Sequence, residues 1–179
     1  MSVPQDPDPA QLVISLLSAQ ENPLDTLSEN LETLFGPVEN VFGPLRFDFT
    51  TYYDIELGVG IKRWIVTAQK LVDPASLAEI KLSTNGIERK FATAEGRRRF
   101  NLDPGLMTLG NFVLATGKNN AHRIYLRDGI FADLTLIFRR ASYRSLEWTY
   151  PDYSDSILIN ILNQIREMYK QKLEKQSFE

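Results

Sequence analysis

The chain has 179 residues, of which 43% are hydrophobic and 24% charged, and its formal net charge is −3. This composition is typical of a globular domain, and the slight negative charge gives no reason to expect nucleic acid or an anionic membrane as a partner. With no cysteine and one histidine, the chain cannot form disulfides, thiolate metal sites, cysteine nucleophiles or multi-histidine metal centres by itself.

The beginning of the sequence, MSVPQDPDPA, is rich in proline and acidic residues. We expect residues 1–10 to form a flexible lead-in, residues 11–175 a single α+β domain, and residues 176–179 a frayed tail. The lead-in lacks the basic and apolar regions of a signal peptide, and no apolar run reaches the length of a membrane span. A cytoplasmic protein without a membrane partner is the expectation.

The first half of the sequence predicts three strands and two helices. QLVISLLSA is a continuous apolar run, as in a strand covered on both faces. Apolar residues from Leu24 to Phe35 then recur at helical spacing, and Gly36-Pro37 ends that helix. RFDF and IKRWIVTAQKLV predict two further strands, separated by the aromatic loop TTYYDIELGVG. Asp73-Pro74 begins a second helix, which ends near Gly96.

The second half predicts a strand at RRRFNL, a turn at Asp103-Pro104-Gly105, and an apolar helix from Leu106 to Ala115 that Gly117 ends. HRIYL and IFADLTLIF form a hairpin through Asp128-Gly129. YRSLEWTY predicts another strand, and Ser154 caps a last helix. The opening order β-α-β-β-α-β is the split pattern of ferredoxin-like domains. We therefore predict an α+β fold with a mainly antiparallel mixed sheet and helices packed on it.

A candidate anion site follows from the basic residues of the second half. If RRRFN is a strand, Arg97, Arg99 and Asn101 share a face because side chains alternate. Together with Lys118 they could hold a phosphate or a carboxylate, since guanidinium groups bind such anions with two parallel hydrogen bonds. The alternative is a solvated basic edge without a ligand.

A candidate acid-base pair follows from the hairpin. A two-residue Asp-Gly turn pairs Arg127 with Ile130 and Ile124 with Asp133, which brings His122 beside Asp133 on one face. A histidine next to a carboxylate could act as a general base with an orienting partner. The alternative is a structural hydrogen bond to a half-buried histidine.

The loop RFDFTTYYDIELG could also contribute to binding. Tyr52 and Tyr53 could stack on a base or cover the edge of the core. Asp48, Asp54 and Glu56 supply oxygen atoms that magnesium could use, but their spacing matches no calcium loop, and we predict no metal ligand. The sequence indicates no particular cofactor.

Several phrases carry a resemblance to a known family. They are FGPLRFDFTTYYDIELG, LAEIKLSTNGIE, NLDPGLMTLGNFVLATGKNNAHRIYL, GIFADLTLIFR and WTYPDY. In this order and spacing they resemble the prokaryotic domain of unknown function 4416, over most of the chain. The resemblance implies a single-domain protein without an established activity and transfers no catalytic residue. Some members carry the automatic label "GTP-binding protein".

The residues argue against a GTPase. A P-loop needs the pattern G-x-x-x-x-G-K-[ST], which the sequence lacks. Gly117-Lys118 follows a predicted helix, whose dipole would present its negative end to a phosphate. The motifs G-x-S-x-G, H-E-x-x-H and G-x-G-x-x-G are also missing, so it stays open whether the protein is an enzyme.

Two functions remain after these exclusions. The first is a pocket for a small phosphorylated or carboxylated ligand, such as a nucleotide. It would use Arg97, Arg99, Lys118 and His122, with Tyr52 and Tyr53 as a lid. The second is a non-catalytic interaction module or a homodimer. RNA binding ranks below both, because no RNP-type aromatic motif is visible and the chain is acidic.

Overall fold

The computed structural model describes residues 1–176, so most of the predicted tail 176–179 lies outside the described residues. The strands are β1 (Ala10–Ser18), β2 (Val38–Arg46), β3 (Lys62–Val72), β4 (Asn101–Met107), β5 (Asn111–Thr116), β6 (Arg123–Arg127), β7 (Ile130–Arg139) and β8 (Ser142–Ser145). The helices are α1 (Leu24–Phe35), α2 (Asp54–Leu57), α3 (Leu77–Lys90) and α4 (Ser156–Gln176), with short 3-10 helices at Pro74–Ser76 and Pro151–Tyr153.

The strands form one sheet in the order β2-β3-β1-β4-β5-β7-β6, and β8 also pairs with β7. Every neighbouring pair is antiparallel. The α1 crossover connects β1 to β2 and the α3 crossover connects β3 to β4, each past one intervening strand. This is the split arrangement of a ferredoxin-like start, so the predicted α+β fold class is confirmed. Strands β5 to β8 extend this sheet beyond β4.

Strand β1 is the centre of the core because all nine of its residues are buried. Leu12, Ile14 and Leu16 belong to one apolar cluster, which includes residues of α1 and α3. Val13 belongs to a second cluster, which includes residues of α4. Successive side chains of a strand point to opposite faces, so α1 and α3 cover one face of the sheet and α4 the other. The continuous apolar pattern of QLVISLLSA is the sequence signature of this two-sided burial.

The predicted helix from Leu106 to Ala115 is wrong. The segment forms the end of β4 and all of β5 but its last residue, joined by a turn. In this turn Thr108 Oγ1 accepts hydrogen bonds from the N–H groups of Gly110 (3.2 Å) and Asn111 (3.1 Å). Both faces of β5 carry buried side chains. Such an apolar run has no two-residue period, and periodicity alone does not separate it from a buried helix.

The predicted turn at Asp103-Pro104-Gly105 is also wrong, because these residues lie inside β4 and pair with Ile14 and its neighbours in β1. Strand β4 begins at Asn101, so the predicted strand RRRFNL is correct only for its last two residues, and residues 97–100 are irregular backbone. In the last helix the capping side chain is that of Asp155 instead of Ser154. Its Oδ2 accepts hydrogen bonds from the first turn of α4.

The hairpin between β6 and β7 forms through Asp128-Gly129 as predicted, with positive φ at both residues. Arg127 pairs with Ile130, but an irregularity between Tyr125 and Arg127 shifts the remaining pairs by one residue. Asp133 therefore pairs with Arg123, and the predicted pairing of Ile124 with Asp133 is wrong. A β-bulge inserts an extra residue on one strand, which a count from the turn cannot anticipate.

Candidate functional site

A cavity of about 650 Å³ opens where β4 and β5 separate. The two strands pair only from Gly105 opposite Leu114 to Met107 opposite Phe112. Residues 101–104 stay paired with β1, whereas Ala115 and Thr116 stay paired with β7. The sheet therefore forks, and we call the space lined by both prongs the fork cavity. Pairing ends next to Pro104, which has no N–H to donate to a ladder.

Aromatic residues from the loop between β2 and α2 form one wall of the fork cavity. Phe47 is buried against the apolar residues Leu17, Leu57 and Ile61 and so anchors this loop. Phe49, Tyr52 and Tyr53 follow, each with a ring contact to another aromatic side chain of the loop. Burial, together with nearby carboxylates, raises the pKa of Tyr53. Its phenol therefore remains a hydrogen-bond donor at neutral pH.

The floor of the cavity contains a buried guanidinium. Arg63 is 4% exposed and lies on β3 between the rings of Phe47 (4.9 Å to its centroid) and Tyr153 (5.0 Å). Its Nη2 forms an ion pair with a carboxylate oxygen of Asp152. The ion pair connects the sheet to the segment that precedes α4.

Lys81 lies on α3, which covers the face of the sheet opposite α4, and its side chain reaches the cavity between the two prongs of the fork. Lys81 of α3 donates from Nζ to the backbone oxygen of Leu102 (2.9 Å) and to Asp103 Oδ1 (3.1 Å). Asn101 donates to the other oxygen of Asp103 (2.6 Å). An ammonium group has three donors, so two of those on Lys81 are used by these bonds.

Arg98 links three parts of the chain beside the cavity. It donates to both carboxylate oxygens of Glu56 (2.6 Å each), to Glu88 (3.1 Å) and to Asn101 Oδ1 (2.8 Å). The hydrogen bonds from Arg98 lower the pKa of Glu56. In contrast, burial raises the pKa of Glu88 despite its cationic neighbours. The network fixes α2 and α3 against the start of β4.

The loop after β5 carries a lysine with no acidic partner among residues 1–176. Lys118 Nζ lies 4.9 Å from the ring centroid of Tyr52, across the mouth of the cavity. The contact is a cation–π interaction between two loops. Because no carboxylate among residues 1–176 pairs with it, the ammonium group of Lys118 is available to another partner.

Arg123 also lines the cavity, and each of its three guanidinium nitrogens has a hydrogen-bond partner. Its Nε donates to Asp133 Oδ2 (2.8 Å), and its Nη atoms donate to the backbone oxygen of Lys118 (2.9 Å) and to the hydroxyl of Tyr150 (3.1 Å). These bonds hold the guanidinium in place beside the loop that carries Lys118.

His122 lies behind this pair and does not line the cavity. Its Nε2 is 3.5 Å from Asp133 Oδ2, and the imidazole stacks on the indole of Trp148 with ring centroids 5.3 Å apart. The Nε2 atom is buried and has no hydrogen-bond partner.

The structure thus brings together most of the residues singled out in the sequence. Tyr52, Tyr53, Asn101, Lys118 and Asp133 line the fork cavity, and His122 lies next to Asp133. Arg97 and Arg99 are exposed and do not line it, whereas Arg98 between them does. The assumed strand alternation does not apply, because residues 97–99 are irregular backbone.

Sequence reasoning missed several lining residues: Arg63, Lys81, Arg98, Arg123 and Asp152. One signal was available, because Arg63 interrupts the apolar run of a central strand, where a charge needs a partner. The partners themselves lie far away in sequence, as in the pair of Arg63 with Asp152, and one sequence gives no means of finding them.

Comparison with known families agrees with the resemblance seen in the sequence. A model of the domain of unknown function DUF4416 matches residues 8–169. The chain belongs to the DUF4416 family. No curated protein and no solved structure matches this DUF4416 chain, so the site has to be interpreted from its own chemistry.

Two further findings concern residues 1–176 of this DUF4416 protein. No helix in this range has both the length and the apolar character needed to cross a membrane. The same range contains no group of three or more histidine, aspartate or glutamate side chains arranged to hold a metal ion. Among the acidic loop residues, Asp48 forms an ion pair with Arg46, and Glu56 with Arg98.

Proposed function

We propose that the fork cavity binds a small phosphorylated or carboxylated ligand, such as a nucleotide. The observation that carries the proposal is Lys118, whose ammonium group lines the cavity without a carboxylate partner among residues 1–176. Lys118 is exposed to solvent, so its ammonium group is free to pair with an anion that enters the cavity.

The other cationic side chains support the proposal by holding the shape of the site. Arg63, Lys81, Arg98 and Arg123 each form an ion pair with an acidic residue. Their positions are fixed before a ligand arrives, which lowers the ordering cost of binding. Lys118 has no carboxylate partner among residues 1–176, so it is the lining cation that is available to one small anionic group.

The size and the aromatic wall support a ligand that also carries a planar or apolar part. A volume of about 650 Å³ lies within the range of small-molecule sites, which is roughly 300 to 1,000 Å³. Tyr52 is 64% exposed and adjoins Lys118. A ring stacked on Tyr52 would place an attached anionic group near the ammonium.

A thermal-shift screen tests the proposal. Nucleotides, sugar phosphates and dicarboxylates would be tested with and without magnesium. A true ligand at about 100 times its Kd adds about 2.7 kcal/mol of stability. We expect at least one of these anions to raise the melting temperature. No shift from any of them would overturn the proposal.

A pair of lysine variants assigns the binding to the cavity. Lys118→Met removes the unmatched charge and should reduce affinity for the anion by about tenfold, equivalent to about 1.4 kcal/mol. Lys175→Met is the matched control, because Lys175 is exposed in the last turn of α4 and does not line the cavity. Equal binding by both variants would place the anion elsewhere.

The catalytic prediction for His122 and Asp133 remains a proposal within this site. Asp133 lines the cavity, whereas His122 does not line it and lies next to Asp133. This placement favours a positioning role for His122 over direct contact with a ligand. Once a reaction is known, unchanged turnover in His122→Ala would remove His122 from its mechanism.

The edge strand β6 favours a second candidate, a protein-interaction module or homodimer. Ile124, Tyr125 and Leu126 are 70%, 59% and 39% exposed on consecutive positions of this strand. An exposed apolar edge can pair with another chain. This candidate predicts a mass in sedimentation that rises with concentration and falls back in Ile124→Lys. A monomer at all concentrations would eliminate the homodimer.

A further inference from the structure

Asp133 is positioned to receive two cationic partners on the same oxygen. It lies on β7, is 6% exposed and lines the fork cavity. Its Oδ2 accepts a hydrogen bond from Arg123 Nε at 2.8 Å, and His122 Nε2 approaches the same oxygen at 3.5 Å. Of the two groups, only Arg123 lies within hydrogen-bonding distance of Asp133 Oδ2 in this geometry.

His122 has an unused capacity for a hydrogen bond. Its Nε2 is buried and unpartnered, and the stack on Trp148 holds the ring plane in place. A protonated imidazole carries a hydrogen on both nitrogens. Closing the gap to Oδ2 by about 0.6 Å would create a charge-assisted hydrogen bond of ordinary length.

We propose that His122 is a proton-sensitive regulator of anion binding in the fork cavity. The inference rests on the proposed function. Protonation gives Asp133 a second cation, which weakens its hold on Arg123 and adds positive charge beside the cavity. Both effects favour a bound anion, so affinity rises as the pH falls through the titration of His122.

The surroundings of His122 determine this sign. The charged groups around it are Asp133 on β7 and Arg123 on β6, and Lys118 contributes its backbone oxygen to Arg123. Trp148 carries no charge. Because coupling between two binding equilibria is reciprocal, an anion that gains from the proton must also make the proton bind more tightly to His122.

The coupling between proton binding and anion binding can be measured in the intact protein, because the sequence contains one histidine. Imidazole NMR signals would be followed against pH with sulfate, with a cyclic nucleoside monophosphate, and with chloride alone. Neither probe changes its charge over the range in which histidine titrates. We expect a bound probe to move the His122 midpoint to higher pH, and its affinity to rise by about fivefold across the titration.

Variants separate the failure of this inference from the failure of the proposed function. His122→Asn should bind the probe with an affinity that no longer depends on pH. If this variant does not fold, the NMR titration of the wild type still tests the inference. Binding with a flat pH profile in the wild type, or the same slope in His122→Asn, overturns the inference and leaves the proposed function standing. No binding of either probe at any pH overturns the inference, and the thermal-shift screen then decides the proposed function separately.

Discussion

At the scale of single residues, Arg98 explains how the cavity keeps its shape. It lies between two acidic side chains of opposite character. Glu56 is partly exposed, and its pKa is lowered by the hydrogen bonds from Arg98, whereas Glu88 is buried, and its pKa is raised by that burial. Removing the guanidinium would take away one of the two cations that act on the buried Glu88 carboxyl group and leave Lys81.

Arg98→Ala should therefore lower the free energy of unfolding by about 3 kcal/mol, the usual cost of breaking a buried ion pair from one side. Arg97→Ala is the matched control, because its side chain is exposed, and its effect should stay within about 0.5 kcal/mol. Urea denaturation measures both. A loss in Arg97→Ala as large as that in Arg98→Ala would contradict the assignment of the network to Arg98.

The pH dependence of stability contains a signature of Glu56. Because Arg98 lowers the pKa of Glu56 in the folded protein, the carboxylate stabilises the fold above its ordinary titration range. This contribution is lost as the pH falls through the lowered folded value. Wild type should be more stable than Glu56→Gln at neutral pH, and the difference should shrink in acid. A difference that grows in acid would show the opposite sign of coupling.

At the scale of elements, the molecule shows which sequence patterns are sufficient to predict a strand, helix or turn and which are not. Asp128-Gly129 predicted its hairpin because both residues tolerate the positive φ that the turn requires. The apolar segment from Leu106 to Ala115 has no such local signal. Its identity as two strands depends on pairing with β1 and β7, which are distant in sequence. The fork arises from the same long-range pairing, so the sequence alone could not predict it.

Gly105 is the last residue of β4 on the cavity side that still pairs with β5, opposite Leu114. A Cβ atom at this position would lie 2.6 Å from Cζ of Phe112 and 3.0 Å from a methyl carbon of Leu114. Both side chains are buried, so they have little room to move. Gly105→Ala should cost about 1 to 3 kcal/mol by overpacking.

The matched control for this substitution is Gly110→Ala in the turn between the same strands. A Cβ at Gly110 meets no atom within 4 Å, and its effect should stay within about 0.5 kcal/mol. Thermal or urea denaturation of the two variants measures the difference. Equal stability of both alanine variants would show that Phe112 yields and that the strands pack more loosely than described.

At the scale of the whole molecule, a ferredoxin-like sheet is extended by four strands, and the fork cavity lies at the junction of the two parts. The sequence could predict the class of fold and many of the polar residues near the cavity, because loops with basic and aromatic residues often bind ligands. It could not predict that Arg98 would replace Arg97 and Arg99, since the path of residues 97–99 depends on tertiary contacts with Glu56 and Glu88.

The central claim is that an anion binds at the fork, and backbone amide NMR tests it most directly. Titration with sulfate or with a cyclic nucleoside monophosphate should shift the amide signals of residues 116–118, 101–103 and 123, which lie on both prongs and on the adjoining wall. The same titration of Lys118→Met should need about ten times more of the probe. Signals that stay unmoved at the fork, or that move only at distant positions such as Asn30 and Ile87 between α1 and α3, would contradict the account.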